Sequence, residues 1–397
     1  MRVTNSYIQT QFLAAVNQLQ ANLAQTQNQV ALGQSFTTPS QDPVAAGNVN
    51  NYNLALAQSQ QFDRNANIAQ NRLGLEDNAL SQYQSALQSI RDLALQANNS
   101  SQTDENRSAI AAQVQQIRDT LLSIANSQDG NGEYLFSGFS SKTQPFNLTA
   151  TGATYVGDQG QRRLQIAVGR TVADGDNGAT VFDQLKTGNG LFEATAGAAN
   201  TGTGVLGAST VVDATAYDGG TYAINFTTAT TFEVRDSANA LVTSGTYSAG
   251  QTVSFKGLQV TLNGQPAAND TFSVKPSQNQ NIFASVQNLL DGLLSATGTP
   301  AASANLNNSI GTAINNIDQA LQQSSDVRSS VGARLNAIDA QSALGSNQQL
   351  QLKTLISQLQ DLDYASALTR LNQQLTSLSA AQQSYTLTQG LSLFKYL

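Results

Sequence analysis

The sequence predicts an α+β fold, in which long helices from both ends of the chain form an elongated bundle and an antiparallel β domain is inserted between them. Two observations predict it. Apolar residues recur every three or four positions towards both termini, whereas short apolar and polar alternations lie between Gly, Asn and Asp turns in the middle of the chain. This order of helices, strands and helices is expected to leave both termini at one pole of the molecule.

The last stretch of the chain, 362–397, has an apolar stripe of helical period and almost no charge on its other face. Between Tyr364 and the last residue the only charged side chains are Arg370 and Lys395. A surface helix normally carries charges opposite its apolar face. Amides and hydroxyls tolerate contact with further copies of a chain better than repeated like charges, so this composition favours an assembly surface.

A stripe of the same period lies near the N-terminus, where Arg2 and Asp42 are the only charged residues before Asp63. A helix pair this narrow cannot bury both stripes alone, so we expect segments 1–42 and 362–397 to be coiled-coil assembly segments. The expected interface residues are Ile8, Phe12, Leu19 and Leu23 packed against Leu368, Leu371, Leu375 and Leu378, together with Leu391 and Phe394. An ordinary antiparallel coiled coil that closes one domain is the alternative.

Helix start signals mark the body of the bundle, which we expect to comprise 43–189 and 277–361 with a small β subdomain. Asp42 is a candidate N-cap before Pro43 at the first helical position. Thr103 is another, and Asp104 and Glu105 follow it in the positively polarised first turn. Apolar stripes of period three to four run from these starts to a break at 129–132 and resume after 280. The short strand candidates between them are 134–136, 154–156 and 163–168.

The segment 190–276 is predicted to be an inserted β domain. Its strand candidates alternate with Gly, Asn and Asp turns at the spacing of a small antiparallel sheet or barrel. They are 221–226, 231–235, 252–255, 258–262 and 271–274. The run of Ala, Gly and Thr at 194–207 has too few large apolar residues to pack a core, and it predicts a linker or flexible loop.

Composition argues against several classes of function. A net charge of −7 and a pI of about 4.6 disfavour nucleic acid and anionic membranes as partners. The chain has no Cys and no His, which removes the commonest metal ligands and the commonest general base. Neither a cleavable signal peptide nor a membrane span is expected from the hydropathy. We therefore expect no enzyme, no cofactor and no metal.

Short motifs that suggest binding sites are weak here. Residues 202–207 fit the spacing of a dinucleotide-binding loop, but no predicted strand precedes them, so a flexible loop is favoured. Residues 174–178 resemble part of a calcium loop but lack its Gly at position six and its closing Glu, so a turn is favoured. Glycosylation sequons such as those at Asn147, Asn225 and Asn269 are common by chance in a chain rich in Asn and Thr.

Several stretches together make the chain similar to the bacterial flagellin superfamily, and more closely to its hook-associated protein 3 branch. They are MRVT at 1–4, PSQDPVAA at 39–46, DGNGEYLFSG at 129–138, VGARLN at 331–336 and QGLSLFKYL at 389–397. They cover both ends and the helical body. Gln41 stands where the family usually has Asp, which leaves the Asp42 cap in place, and 190–276 is larger than in the shortest members.

The resemblance implies a structural protein of the bacterial flagellum at the junction between hook and filament. It implies as partners further copies of the chain in a ring or helical layer, the hook-associated protein of the first junction layer, flagellin, and a flagellar export chaperone. It also implies export through the flagellar type III apparatus to an extracellular location, with terminal segments that are disordered in the monomer. The alternatives are a flagellin filament subunit and a secreted adhesive β module on a helical stalk.

Overall fold

The computed structural model describes residues 5–295 and 297–390. The described chain contains six α-helices: α1 Asn5–Leu32, α2 Pro43–Ala97, α3 Asp104–Ala125, α4 Ile282–Leu293, α5 Pro300–Gln360 and α6 Tyr364–Gly390. A short π-helical turn spans Ala179–Asp183. None of the described helices is long and apolar enough to cross a membrane.

The predicted helix starts at Pro43 and after Thr103 are confirmed. The Asp42 Oδ1 atom accepts a hydrogen bond from the Ala45 backbone N at 2.9 Å, and α2 begins at Pro43. The Thr103 hydroxyl accepts one from Asn106 N at 3.2 Å. Each side chain satisfies one of the backbone donors that the first turn of a helix leaves unpaired, and this fixes where the helix begins.

Fourteen strands are described, and all of their pairings are antiparallel. They are β1 Phe146–Thr149, β2 Gly152–Tyr155, β3 Arg163–Ala167, β4 Arg170–Ala173, β5 Leu185–Lys186, β6 Phe192–Ala196, β7 Val205–Val211, β8 Tyr222–Thr228, β9 Thr231–Asp236, β10 Leu241–Thr246, β11 Thr252–Phe255, β12 Leu258–Asn263, β13 Thr271–Pro276 and β14 Asn279–Gln280. Long helices therefore flank a central antiparallel β region, which confirms the α+β class.

The chain divides into two compact units. The first comprises residues 1–64 and 340–397, and the second comprises Asn65–Asp339. Both α2 and α5 contribute residues to each unit. The first unit is entirely helical in its described part, apart from short connections, and α1 pairs with α6 within it.

The second unit holds two hydrophobic cores. One is formed by α2, α3, α4 and α5 together with β1 to β5, and its fully buried aromatic residues are Tyr83, Phe136, Phe146, Phe182 and Phe283. The Phe182 ring contacts three of these rings edge to face at 4.8 to 5.5 Å. Edge-to-face contacts place the positive edge of one ring against the negative face of another.

The other core lies between two sheets in the inserted β region. The five-stranded sheet has the order β10-β9-β8-β13-β6, and the three-stranded sheet has the order β11-β12-β7. Residues at alternate positions point inward, as in β8, where Tyr222, Ile224 and Phe226 are buried. This period of two is the pattern that predicted an antiparallel domain here.

Two local predictions are wrong, and half of the strands were not predicted. Residues 134–136 form a turn with one isolated bridge, because Tyr134 N and Leu135 N donate to Ser141 O and Ser127 O rather than to a strand. Residues 194–207 were predicted to be a flexible loop, but they include the end of β6 and the start of β7. Between these strands the buried Asp270 carboxylate accepts hydrogen bonds from Thr201 N and Gly202 N, which fixes the connection. Strands β1, β4, β5, β6, β7, β10 and β14 were not predicted.

Candidate assembly interface

The ends of α1 and α5 are joined by backbone hydrogen bonds immediately before α6 begins. Leu362 N donates to Gly33 O at 2.9 Å, and Ser35 N donates to Gln360 O at 2.8 Å. Gly33 ends α1 with a φ of +69°, a conformation that glycine adopts without the steric cost of a Cβ. The Asp363 carboxylate then accepts from Ala365 N at 3.0 Å and caps α6. These contacts fix the point from which α1 and α6 run side by side.

The less exposed residues of α1 and α6 form one row on each helix, with alternating spacings of four and three. The row on α1 comprises Phe12, Val16, Leu19, Leu23 and Thr26, and that on α6 comprises Ala367, Leu371, Gln374, Leu378, Ala381 and Tyr385. Such spacing is the seam of a coiled coil. Towards the N-terminus of α1 and the C-terminus of α6, the rings of Phe12 and Tyr385 stack with centroids 4.3 Å apart.

The predicted interface residues fall into three groups in the structure. Five lie on these rows and are half-buried: Phe12, Leu19, Leu23, Leu371 and Leu378. Leu368 and Leu375 lie beside the row and are 46% and 45% exposed, so the α6 row passes through Ala367 and Gln374 instead. The Ile8 side chain, Leu391 and Phe394 lie outside the described part of the chain.

The first unit buries little apolar surface. Among its described residues only four apolar side chains are buried, namely Ala45, Val49, Leu362 and Ala367. Many large apolar side chains remain exposed there, including Leu13, Val44, Leu54, Leu344, Leu350, Tyr364 and Leu387. Exposed apolar surface on this scale is a common sign of a protein–protein interface.

The second unit contains a charged network that links α2 to the turns beyond α3. Arg72 lies 3.2 Å from Asp129 and 3.5 Å from Glu133, and Glu133 also lies 3.3 Å from Arg162. Arg162 in turn pairs with the buried Asp174 at 2.6 Å. Three carboxylates thus surround two guanidinium groups, and Arg72 and Asp174 are the most deeply buried members of this network.

A second cluster begins one turn further along α2. Glu76 is buried, its Oε1 accepts from Asp176 N at 3.0 Å, and the Asp176 carboxylate pairs with Arg334 of α5. Burial, and then the neighbouring Asp176 charge, raise the pKa of Glu76 well above its usual range. The pKa of Tyr83 is also raised, because its hydroxyl is buried.

The sequence did not predict these two clusters, although some of their residues lie in stretches that were singled out. Asp129, Glu133 and Arg334 all lie in the stretches that carry the family resemblance, but the stretches are distant in sequence. Residues 174–178 were considered as a calcium loop and predicted to be a turn. In the structure, 174–177 is an irregular connection after β4, in which Asp174 pairs with Arg162 and Asp176 pairs with Arg334 of α5.

Comparisons with known families match most of the chain. The N-terminal helical region of bacterial flagellin matches residues 3–141, and its C-terminal helical region matches residues 314–397. The D2-like domain of flagellar hook-associated protein 1 matches residues 195–276 in the inserted β region. The helical ends, their paired rows and the inserted domain define a structural subunit of the bacterial flagellum.

Similar individual proteins indicate which kind of flagellar subunit the chain is. Flagellar hook-associated protein 3 of Escherichia coli is 24% identical over the whole chain, of which the match covers 100% here and 99% in the relative. FlgL of Xanthomonas campestris is 39% identical with a TM-score of 0.73, over 77% of this chain and 99% of that one. The flagellar junction protein FlgL of Legionella pneumophila is 27% identical with a TM-score of 0.72, over 79% and 100% of the two chains. The chain belongs to the flagellar hook-associated protein 3 (FlgL) family, and its role is a structural one at the flagellar junction.

Proposed function

We propose that the chain forms one layer of subunits that joins the hook-associated protein of the first junction layer to flagellin. The Legionella pneumophila relative is named a flagellar junction protein, and both helical ends of this chain match flagellin regions, which suits a subunit with a flagellin-like neighbour. In this role the layer eases the mismatch between a bending hook and a stiff filament. The chain acts through assembly, without catalysis, a cofactor, nucleic acid or a membrane.

The single observation that carries this proposal is the sparse burial of the first unit. This unit has four buried apolar side chains among its described residues, of which only Ala367 lies on α1 or α6, so the helix pair gains little from its own core. Contacts with neighbouring copies offset the entropy of ordering such segments. Because these contacts are head to tail rather than twofold, they build a ring or helical layer.

The proposed assembly interface has two parts. Phe12, Leu19, Leu23, Leu371 and Leu378 hold α1 and α6 together, and Ile8 extends their row in the sequence. Leu368 and Leu375 are exposed in the isolated chain and face a neighbouring subunit in the layer. Leu391 and Phe394 continue the C-terminal segment in the same interface.

Extracellular location and export follow from the same proposal. The chain leaves the cell through the flagellar type III apparatus, delivered by an export chaperone that covers the terminal segments before assembly. A terminal unit of low stability suits this route, because it unfolds at a small cost in free energy and folds again on assembly.

Deletion of the gene in its source bacterium tests the proposed role. The junction role requires cells with bare hooks that shed monomeric flagellin into the medium, because export continues while filament growth lacks its adaptor. If no other flagellin appears and the purified chain polymerises by itself, the chain is the filament subunit. Intact and motile flagella indicate the adhesive module, and binding of the isolated segment 190–276 to a glycan panel would then support it.

A further inference from the structure

The cluster of Glu76, Asp176 and Arg334 holds two carboxyl groups and one guanidinium. Glu76 is 1% exposed, and the side chains of Arg334 and Asp176 are 13% and 15% exposed. The remaining cation near Glu76 is Arg72, one turn earlier on α2, and it already contacts Asp129 and Glu133. One guanidinium cannot compensate two buried negative charges, so the cluster is balanced only when one carboxyl is neutral.

Two polar atoms of the cluster are buried without a partner. They are Glu76 Oε2 and Arg334 Nη1. Glu76 Oε1 accepts from Asp176 N at 3.0 Å, which places the two residues side by side, and a hydrogen bond between their carboxyl groups forms only when one of them carries a proton. Because Asp176 is paired with Arg334 and Glu76 is the more deeply buried, the proton belongs on Glu76.

We propose that Glu76 is a neutral carboxylic acid that donates a hydrogen bond to Asp176, and that loss of this proton switches the cluster to a second arrangement in which Glu76 pairs with the unused Nη1 of Arg334. In the first arrangement the Asp176 carboxylate accepts a hydrogen bond from Glu76 and pairs with Arg334. In the second, Glu76 and Asp176 compete for the Arg334 guanidinium, and the repulsion between the two carboxylates loosens the segment 174–178.

The cluster connects three parts of the second unit. Glu76 is on α2, Arg334 is on α5, and Asp176 is in the connection that follows β4. A Cβ at Gly175 would lie 3.7 Å from both Glu76 Oε2 and Arg72 Nε, so this connection packs directly against α2. The Glu76 proton thus controls how closely the connection packs on α2 and α5.

Carboxyl NMR on the full chain tests the proposal directly. The chain has five glutamates, so selective ¹³C labelling of Glu side chains gives five signals, and the one missing from Glu76→Gln is that of Glu76. We expect this signal to have the chemical shift of a carboxylic acid at pH 7 and to move only at higher pH. Movement of this signal through about pH 4.3, the ordinary value for a glutamate side chain, would overturn the proposal.

Two further variants separate the proposed pair from simple burial. Asp176→Asn removes the nearby negative charge and should lower the pH at which Glu76 titrates, whereas Arg334→Gln removes the cation and should raise it. If neither variant moves the Glu76 titration, the pairing is wrong. If Glu76→Gln fails to fold, the Glu76 signal is identified instead as the glutamate signal whose titration moves in Asp176→Asn.

Stability against pH provides a second readout. Because the folded state keeps the Glu76 proton longer than the unfolded state, its stabilising effect is complete below the unfolded value of about 4.3 and is lost as pH rises towards the folded value. In this window the folding equilibrium constant should fall up to tenfold per pH unit more in the parent chain than in Glu76→Gln. The exposed Glu105→Gln is the matched control and should retain the parent slope. Equal slopes for the parent and Glu76→Gln would contradict the proposal.

Discussion

The side chain of Asn308 is hydrogen-bonded to the backbone at Leu206 and so attaches the inserted β domain to α5. Its Oδ1 accepts from Leu206 N at 2.8 Å, and its Nδ2 donates to Gly204 O at 3.0 Å. Eight residues further along α5, Asn316 Oδ1 accepts from Gly188 N at 2.9 Å, just before β6. Both asparagines are buried. Two amides on one helix therefore hold the starts of β6 and β7.

Replacement of Asn308 by Ala should loosen this attachment. It leaves the Leu206 N–H and the Gly204 carbonyl without partners, at a cost of about 1–3 kcal/mol. Amide hydrogen exchange in β7 should become faster, while exchange in β8 and β9, which lie in the other sheet, should stay unchanged. Asn315→Ala, at an exposed position of the same helix, is the control. Equal exchange rates in β7 of the two variants would show that Asn308 does not hold the domain.

Replacement of Arg72 by Gln should destabilise the second unit strongly. Arg72 is 7% exposed and pairs with Asp129 and Glu133, so its loss leaves Asp129 without its cation and Glu133 paired with Arg162 alone. The free energy of unfolding should fall by about 3–5 kcal/mol, measured by urea denaturation. The control Arg163→Gln removes an exposed guanidinium that is hydrogen-bonded to Thr171, and we expect a change of about 0.5 kcal/mol or less. A similarly small change in Arg72→Gln would contradict the importance of the network.

The loop that carries the exposed Phe139 should depend on one carboxylate. Asp158 accepts from Phe139 N and Ser140 N, both at 2.9 Å, and from Gly160 N at 2.7 Å. These backbone donors hold the pKa of Asp158 below its usual range. The carboxylate therefore stabilises the loop above the usual aspartate pKa of about 3.9, and this effect is lost as pH falls through the lowered value.

Asp158→Asn tests that dependence at neutral pH. The amides of Phe139 and Ser140 should exchange faster, because one carboxylate oxygen that accepts from them is replaced by a donor. Asp213→Asn is a matched control, since Asp213 also accepts from two backbone amides, in the inserted domain. If both variants leave the exchange at 139 and 140 unchanged, Asp158 does not order the loop.

Much of the fold could be predicted because local chemistry determines it. Asp42 before Pro43 and Thr103 before two acidic residues each cap a helix at the predicted place. Strand β11 coincides with the predicted 252–255, where apolar and polar residues alternate. In these stretches the residues that decide the structure are adjacent in sequence, so a single window contains the whole signal.

Other elements depend on partners that are distant in sequence. Strands β6 and β7 consist largely of small residues, and they form because β13 and β12 pair with them. On α6 the pattern of leucines suggested Leu368 and Leu375, but the less exposed row beside α1 passes through Ala367 and Gln374. The clusters around Arg72 and Glu76 likewise bring together residues up to 258 positions apart, from 76 to 334. No local pattern reports such contacts.

The most direct test of the proposed assembly is Leu371→Asp, produced in a strain that lacks the parent gene. Leu371 lies half-buried on the α6 row, so a charge there should prevent the ordered terminal pair while the inserted domain stays folded. Gln373→Asp adds the same charge at an exposed position of α6 and should behave as the parent chain. We predict that the Leu371→Asp chain is recovered from the medium, and that isolated hooks carry neither this chain nor a filament. Hooks that carry Leu371→Asp together with filaments of normal length would contradict the account.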